Sequence, residues 1–254
     1  MKTSAFSLEG ALSVSAALKA GSREVFEILI DDDKRFDQRL DELRLRAKGA
    51  AVNLKYVPTS EIEAYATGNS HGGVIALAGA RRFERMADLI PPDKPAFVAM
   101  LDGIEDPYNF GFALRALYAA GADGLVLRER NWTSASAIVG RSSAGASELM
   151  PIALAESVME AASFFRQRGL AVATAAKSSA SVSLFEAELT QPVFVVFGGE
   201  RRGVTRSFQR GADLLLEIPY GRPFGQSLGA VSAVSILAYE VMRQRRHSGV
   251  GAVE

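Results

Sequence analysis

The chain has 254 residues, of which 48% are hydrophobic and 23% are charged, and its formal net charge is zero. This length suffices for one large or two modest domains with a real core, while zero net charge argues against binding to nucleic acid by bulk charge and leaves only local basic patches. There is no cysteine and there are only two histidines, His71 and His247, so disulfides and thiolate sites are excluded and we expect no metal. The opening sequence has no signal-peptide core and no apolar run reaches the roughly 18 residues of a membrane span, so we expect a cytoplasmic protein without a membrane partner.

The first part of the chain predicts a small α/β domain over residues 1–80. Helical and strand-like apolar spacing alternates along it, in the order helix Leu8 to Ala20, strand Val25 to Ile30, helix Arg35 to Lys48, strand Val52 to Val57, helix Thr59 to Ala66 and strand VIALAGA. Ser60 is the candidate N-cap of the third helix. Residues 81–95 are charged and end in three prolines within five residues, which predicts a linker between this domain and a second one over residues 96–254.

The second part predicts a parallel-sheet α/β domain. Its strands are nearly continuous apolar runs, as expected when both faces of a strand are covered, and they are AFVAML, GLVLRE, LAVATA, PVFVVFG and LLLEIP. A long helix is predicted from Ser227 to Arg245, and its basic end, with Arg243, Arg245 and Arg246, is expected to complement the helix dipole. Ligands of open parallel sheets bind at the carboxyl ends of the strands, so the loops after AFVAML, PVFVVFG and LLLEIP are the informative ones.

The first of these loops is LDGIEDPYNFGFALRAL, residues 101–117. Asn109 is a candidate helix N-cap, and Arg115 follows on a helix otherwise rich in alanine, leucine and phenylalanine. A capped helix with one solvated arginine explains this pattern equally well, so the loop by itself identifies no function.

The second loop is FGGERRGVTRS, residues 197–207. Glycines at a strand end expose backbone amides to a ligand, and the following arginines can hold phosphates. The Lys-Ser/Thr pair of a Walker A loop is missing, and no strand is followed by the glycine pattern of dinucleotide-binding folds. A surface turn with a charge cluster remains the alternative.

The third loop is IPYGRPFGQSLGAVSAVSILAYE, residues 218–240. Ser227 is placed to cap the last helix, which is a sufficient structural reason for it. The small residues that follow, from Gly229 to Ala233, suit close packing against another helix or a partner subunit.

In this order the three loops resemble the three motifs of the SpoU family of RNA methyltransferases, which belongs to the SPOUT superfamily. The first motif matches Asn109, Gly111 and Arg115, the second matches Gly198, Glu200 and Gly203, and the third matches Ile218, Pro219, Ser227 and Leu228. The segment SSAGASELMPI (142–152) and the sequence His71-Gly72-Gly73-Val74 also resemble family segments, the latter in the family's small RNA-binding domain. Two departures stand in the third motif, where Gly229 replaces an asparagine and the loop before Ser227 is one residue longer.

The resemblance implies a C-terminal parallel-sheet domain with a deep trefoil knot, an obligate homodimer, S-adenosylmethionine as cofactor, and an N-terminal domain that binds RNA. It implies ribose 2′-O-methylation of ribosomal or transfer RNA. The catalytic positions carried over are Asn109, Arg115, Glu200 and Ser227. The cofactor-binding positions are Gly198, Ile218 and Leu228. The candidate phosphate-binding residues are Arg201, Arg202 and Arg206.

Because a guanidinium is a poor base, Arg115 is expected to position the hydroxyl or a phosphate and to stabilise developing negative charge. Gly229 keeps a second hypothesis open, namely a catalytically impaired RNA-binding or ribosome-assembly protein that retains the methyltransferase fold. Methylation of a base nitrogen is a further alternative.

Overall fold

The computed structural model describes residues 6–68, 70–129, 136–199 and 203–249. The chain divides into two compact units, a first unit of Met1–Phe83 with Ala135–Leu149 and a second unit of Glu84–Ser134 with Met150–Glu254. The units differ from the sequence-based domains in that residues 135–149 group with the N-terminal residues. The domain limits 1–80 and 96–254 stay a prediction.

The helices and strands of the described residues alternate along most of the chain. In chain order they are β1 (Phe6–Glu9), α1 (Ala11–Ala20), β2 (Val25–Asp31), α2 (Asp41–Gly49), β3 (Asn53–Val57), α3 (Thr59–Tyr65), β4 (Val74–Ala78), β5 (Phe97–Asp102), α4 (Pro107–Ala119), β6 (Gly124–Leu127), α5 (Ser136–Ser142), α6 (Ala146–Leu149), β7 (Ile152–Leu154), α7 (Val158–Arg166), β8 (Ala171–Ala175), β9 (Val182–Ser183), β10 (Val193–Gly198), α8 (Arg206–Gly211), β11 (Leu214–Glu217) and α9 (Ala230–His247).

The first unit is built on a four-stranded sheet in the order β1-β4-β2-β3, in which only β2 and β3 run parallel. Two sequence predictions need correction here. Leu8 belongs to β1 and α1 begins at Ala11, because Gly10 adopts a φ of 88° that ends the strand. Ser60 is not an N-cap, since α3 already begins at Thr59 after Pro58 and has no side-chain cap.

The segment predicted as one helix from Arg35 to Lys48 is also different in the structure. Two short 3₁₀ turns, Asp32–Lys34 and Gln38–Leu40, precede α2, and each is capped by an aspartate that accepts a hydrogen bond from a backbone N–H two residues on. These caps give the backbone an alternative to continuing as an α-helix, which amphipathic spacing does not reveal.

Helices α5 and α6 are held in the first unit by buried ion pairs. The Glu148 carboxylate accepts from the Ser22 hydroxyl at 2.6 Å and pairs with Arg23 at 3.1 Å and Arg81 at 3.3 Å. Glu9 pairs with Arg141 in the same way. Charges buried to this degree need such partners, so the pairs fix α5 and α6 against the rest of the first unit.

The second unit is a seven-stranded sheet in the order β7-β6-β5-β10-β8-β11-β9, and every neighbouring pair is parallel. The five predicted strands are confirmed; the short strands β7 and β9 were not predicted. Phe97 to Leu101 of β5 are all at most 1% exposed, as expected for a strand covered on both faces. On one face, Phe165 of α7 stacks on Phe194 of β10 with ring centroids 4.6 Å apart.

The end of α9 is fastened to the starts of β5 and β10 by Arg245. Its guanidinium, with the residue only 9% exposed, donates hydrogen bonds to the carbonyls of Pro95, Ala96, Leu189 and Gln191 at 2.6–3.3 Å. Burial lowers the pKa of Arg245. The expectation that this arginine serves the helix dipole was therefore wrong, because the side chain turns inward to the sheet.

Candidate active site

A cavity of about 580 Å³ lies at the carboxyl edge of the sheet in the second unit. Its walls come from the ends of β8, β10 and β11 and from the loop that follows β11. This position results from the strand order, since β8 has β10 on one side and β11 on the other and all three run parallel. The volume falls in the range of small-molecule binding sites, roughly 300–1,000 Å³.

Four of the predicted site residues line this cavity together, namely Gly198, Ile218, Ser227 and Leu228. Gly198 comes from the second loop and the other three from the third, 20 residues or more further along the sequence. The structure thus brings the three candidate cofactor positions into one place, beside Ser227. Whether they contact a cofactor stays a prediction.

The remaining predicted residues are distributed differently. Asn109 and Arg115 lie on α4, and Arg206 begins α8; none of the three lines the cavity. Arg115 and Arg206 are exposed. Glu200, Arg201 and Arg202 lie outside the described residues.

Glycine is required in the second loop because the chain folds closely upon itself there. A Cβ on Gly198 would overlap the backbone of Gly203 and Val204, and a Cβ on Gly199 would overlap the carbonyl of Gly103 after β5. Gly203 donates its N–H to the Gly199 carbonyl at 2.9 Å. These glycines therefore have a structural reason that does not depend on a ligand, although they also leave the cavity wall without side chains.

The third loop is anchored by one tyrosine. The Tyr220 hydroxyl donates to the Gln226 carbonyl at 3.2 Å and accepts from the Leu228 N–H at 3.0 Å. The Phe224 ring lies 6.2 Å from the Tyr220 ring, and Phe224 is 56% exposed. The loop is thus held in a defined shape even though residues 221–229 are exposed.

Two predicted helix caps were wrong. The side chain that caps α4 is Asp106, which accepts the Asn109 N–H at 2.8 Å while Pro107 occupies the first turn. The last helix begins at Ala230 and its N-cap is Gly229, without a side-chain cap. Asn109 and Ser227 consequently remain as side chains that capping does not explain.

Gly229 adopts an extended backbone with a φ of −58°, and a Cβ there would meet nothing within 4 Å. Neither backbone strain nor lack of space requires glycine at this position. An asparagine would fit and would be a favourable N-cap. The departure from the third motif is therefore not imposed by the fold.

Sequence reasoning missed several cavity residues, among them Tyr220, Phe224, Lys177 and Glu217. Lys177 and Glu217 approach each other at 3.9 Å, and the Lys177 ammonium lies 5.5 Å from the centre of the Tyr220 ring. Lys177 follows β8, a strand whose loop has ordinary composition. The one sequence signal for Lys177 as a cavity residue is its position at the end of a predicted parallel strand.

Other site classes find no support in the described part of the chain. No group of three or more histidine, cysteine, aspartate or glutamate side chains there could hold a metal ion. None of the helices in the described ranges is both long and apolar enough to cross a membrane.

A parallel α/β sheet with a cavity of about 580 Å³ at its carboxyl edge is the arrangement in which proteins of this class bind small organic molecules. The family follows from comparison with known proteins. The model of the SpoU rRNA Methylase family matches residues 96–239, more than half of the chain, and the chain belongs to that family. A second model, RNA 2′-O ribose methyltransferase substrate binding, matches residues 7–83.

Individual relatives agree with this assignment. The 23S rRNA (guanosine-2′-O-)-methyltransferase RlmB of Shewanella oneidensis is 26% identical over 240 residues, which cover 93% of this chain and 96% of the relative. A solved RNA 2′-O ribose methyltransferase is 27% identical with a TM-score of 0.77, covering 96% of this chain and 90% of that one. The SpoU methyltransferase AviRb from Streptomyces viridochromogenes, solved in complex with AdoMet, has the same fold, with a TM-score of 0.78 at 21% identity over 95% of this chain and 91% of that one.

Proposed function

We propose that this protein is an S-adenosylmethionine-dependent RNA methyltransferase that methylates a ribose 2′-hydroxyl of ribosomal or transfer RNA. The observation that carries the proposal is the convergence of the second and third loops on one cavity in a chain of the SpoU family. A ribosomal substrate is favoured by the N-terminal domain and by the name of the 23S rRNA relative. We further propose that the protein acts in the cytoplasm.

The cavity fits the cofactor by chemistry as well as by size. Ile218 and Leu228 offer apolar walls for a nucleoside, and the glycines of the second loop leave backbone groups accessible between them. Lys177 and Glu217 bring opposite charges, which match the carboxylate and ammonium of an amino-acid moiety. When bound, the cofactor supplies a methyl group already activated on a sulfonium.

The protein then has to align the acceptor hydroxyl and help its proton to leave. Proximity and orientation alone can lower a barrier by about 7–11 kcal/mol, so no metal or covalent intermediate is required. We assign Arg115 to hold the hydroxyl or a neighbouring phosphate and to stabilise negative charge, with Asn109 orienting it. Glu200 and Ser227 are assigned to shape the site by hydrogen bonds.

Arg115 is free for such a role within the described residues, since no hydrogen bond or ion pair engages its guanidinium there. It does not line the cavity of its own chain. It shares the solvent face of α4 with Tyr108 and Phe112, which are 50% and 45% exposed. Phe112 lies four residues after Tyr108 and three before Arg115, a spacing that puts all three side chains on one face of a helix. This face supports the proposed homodimer, in which a second copy covers the aromatic side chains.

The first unit is proposed to bind RNA by its shape rather than its base sequence, as proteins do with structured RNA. Arg201, Arg202 and Arg206 are proposed to contact phosphates near the second loop. Each such contact adds to the salt dependence of binding, so Arg206→Ala should reduce the slope of log affinity against log salt by roughly 0.7–0.9.

The test is calorimetric titration of S-adenosylmethionine into the wild type, Arg115→Ala and Gly229→Asn. We expect saturable binding by all three, because neither change narrows the cavity. Binding by Gly229→Asn alone would instead support the impaired RNA-binding protein that Gly229 keeps as a second candidate. No binding in any variant would refute the enzymatic proposal.

The position of the methyl group needs a separate readout. Methylated RNA is digested with alkali, which cannot cleave next to a 2′-O-methyl ribose but does cleave next to a methylated base. A resistant dinucleotide supports ribose methylation, whereas complete cleavage with retained methyl label would indicate a base. Sedimentation velocity at several protein concentrations tests the homodimer, and a monomer throughout would refute it.

A further inference from the structure

A second hollow of about 460 Å³ adjoins the cavity at the third loop. We call it the outer hollow, and its lining residues are Phe185, Ile218, Pro219, Tyr220, Gly221, Arg222, Phe224, Leu228 and Ile236. Ile218, Tyr220, Phe224 and Leu228 also line the cavity described above. The third loop therefore contributes a shared wall to both hollows.

The outer hollow is apolar and exposed, and one of its lining side chains is charged. Phe185 is 53% exposed and Phe224 is 56% exposed. Two exposed aromatic rings in one hollow offer faces on which an aromatic ligand can stack. The charged side chain is that of Arg222, and among the described residues nothing forms a hydrogen bond or ion pair with it.

The wall that carries these groups is held in place before any ligand arrives. Tyr220 binds the backbone of Gln226 and Leu228 on both sides of the loop tip, so Phe224 is presented from a closed loop. A preorganised aromatic surface loses less conformational entropy on binding than a flexible one.

We infer that the outer hollow binds an unstacked nucleotide of the RNA substrate, with its base against Phe185 and Phe224 and its phosphate on Arg222. An aromatic base with an attached phosphate is complementary to both features, since bases stack on aromatic side chains and arginine holds phosphate bidentately. An apolar partner would cover the rings and leave the guanidinium without a counter-charge. The shared wall would place this nucleotide next to the cavity proposed for the cofactor.

This inference rests on the proposed function, and the experiment separates the two. Phe185 and Arg222 line only the outer hollow, so titration of S-adenosylhomocysteine reports on the inner cavity independently. A chain that takes up no S-adenosylhomocysteine fails the proposed function, while the nucleotide titration still decides the outer hollow.

The probe is guanosine 5′-monophosphate, which is titrated into the protein in the presence of S-adenosylhomocysteine. Binding is measured from the NMR chemical shifts of the protein. Loss of one stacking ring in Phe185→Ala should weaken nucleotide binding about five- to a hundredfold. Arg222→Ala should weaken the nucleotide about three- to tenfold while leaving the affinity for guanosine unchanged. Ribose 5-phosphate should be insensitive to Phe185→Ala.

The matched controls are Phe36→Ala, which removes an 89% exposed ring in the first unit, and Arg246→Ala, which removes an exposed cation at the end of α9. Both should bind the nucleotide as the wild type does. The inference is overturned if the wild type does not bind it, or if Phe185→Ala and Arg222→Ala bind it normally. It is also overturned if these two variants change only self-association in sedimentation velocity, which would identify the hollow as an interface between copies.

Discussion

Replacing Arg245 by alanine should destabilise the second unit more than any nearby surface change. The guanidinium satisfies four backbone carbonyls, two just before β5 and two just before β10. Within the described part of the chain, only the Ala96 carbonyl keeps another donor, the N–H of Val193 at 2.9 Å. Three acceptors would lose the hydrogen bond that the structure gives them.

The magnitude follows from these contacts. A buried acceptor without a donor costs about 1–3 kcal/mol, and some of these carbonyls can be reached by water, so we expect a loss of about 3–5 kcal/mol in Arg245→Ala. For a protein of this size that corresponds to a fall in melting temperature of roughly 10 °C. Arg245→Lys keeps the charge but not the planar guanidinium that reaches several carbonyls at once. Its loss of unfolding free energy should be about half that of Arg245→Ala.

The assay is urea unfolding of the full chain followed by circular dichroism, with the midpoint and slope fitted together. Arg246→Ala is the matched control, because Arg246 is the exposed neighbour and should change stability by less than about 0.5 kcal/mol. Equal effects of Arg245→Ala and Arg246→Ala would refute the reasoning. Full stability of Arg245→Lys would show that charge matters and the four-carbonyl geometry does not.

Three further changes follow from the same physical arguments. Glu148→Gln should cost about 3–5 kcal/mol in urea unfolding, because it removes the buried negative charge with which Arg23 and Arg81 pair. Gly199→Ala should cost about 1–3 kcal/mol and weaken S-adenosylmethionine binding in calorimetry, because its Cβ would push the Gly103 backbone and distort the cavity wall. The hydrogen bond from Arg243 lowers the pKa of Glu240 below 4.5, so its stabilisation is complete above that pH and is lost as the pH falls through the lowered value. The stability difference between wild type and Glu240→Gln should therefore shrink as the pH falls below 4.5 in acid-unfolding curves.

The predictions for Glu148 and Gly199 each have a control of the same chemical type. Glu42→Gln removes an exposed carboxylate and should change stability by less than about 0.5 kcal/mol. Gly225→Ala adds a Cβ in open space in the third loop and should leave stability unchanged within about 0.5 kcal/mol. A Glu148→Gln protein as stable as Glu42→Gln, a Gly199→Ala protein that binds cofactor normally, or a Glu240→Gln difference independent of pH would contradict the respective argument.

The prediction of individual elements succeeded where local pattern and long-range packing agree. The apolar run PVFVVFG predicts a buried strand because every side chain in it favours removal from water, and β10 is buried along nearly its whole length. Helix starts were predicted less well. Asp106 and Asn109 are both good caps, and their order along the chain does not decide which side chain accepts the free N–H groups.

The sequence alone determined the class of fold, the three informative loops and the family, because each depends on residue types at short spacing. It did not determine that β10 lies between β5 and β8, and hence that Gly198 and Ile218 meet at one cavity. Apolar strands look alike in sequence, so their order is decided by tertiary pairing. The inward turn of Arg245 and the anchoring of the third loop by Tyr220 depend likewise on distant backbone groups, whose positions exist only once the chain has folded.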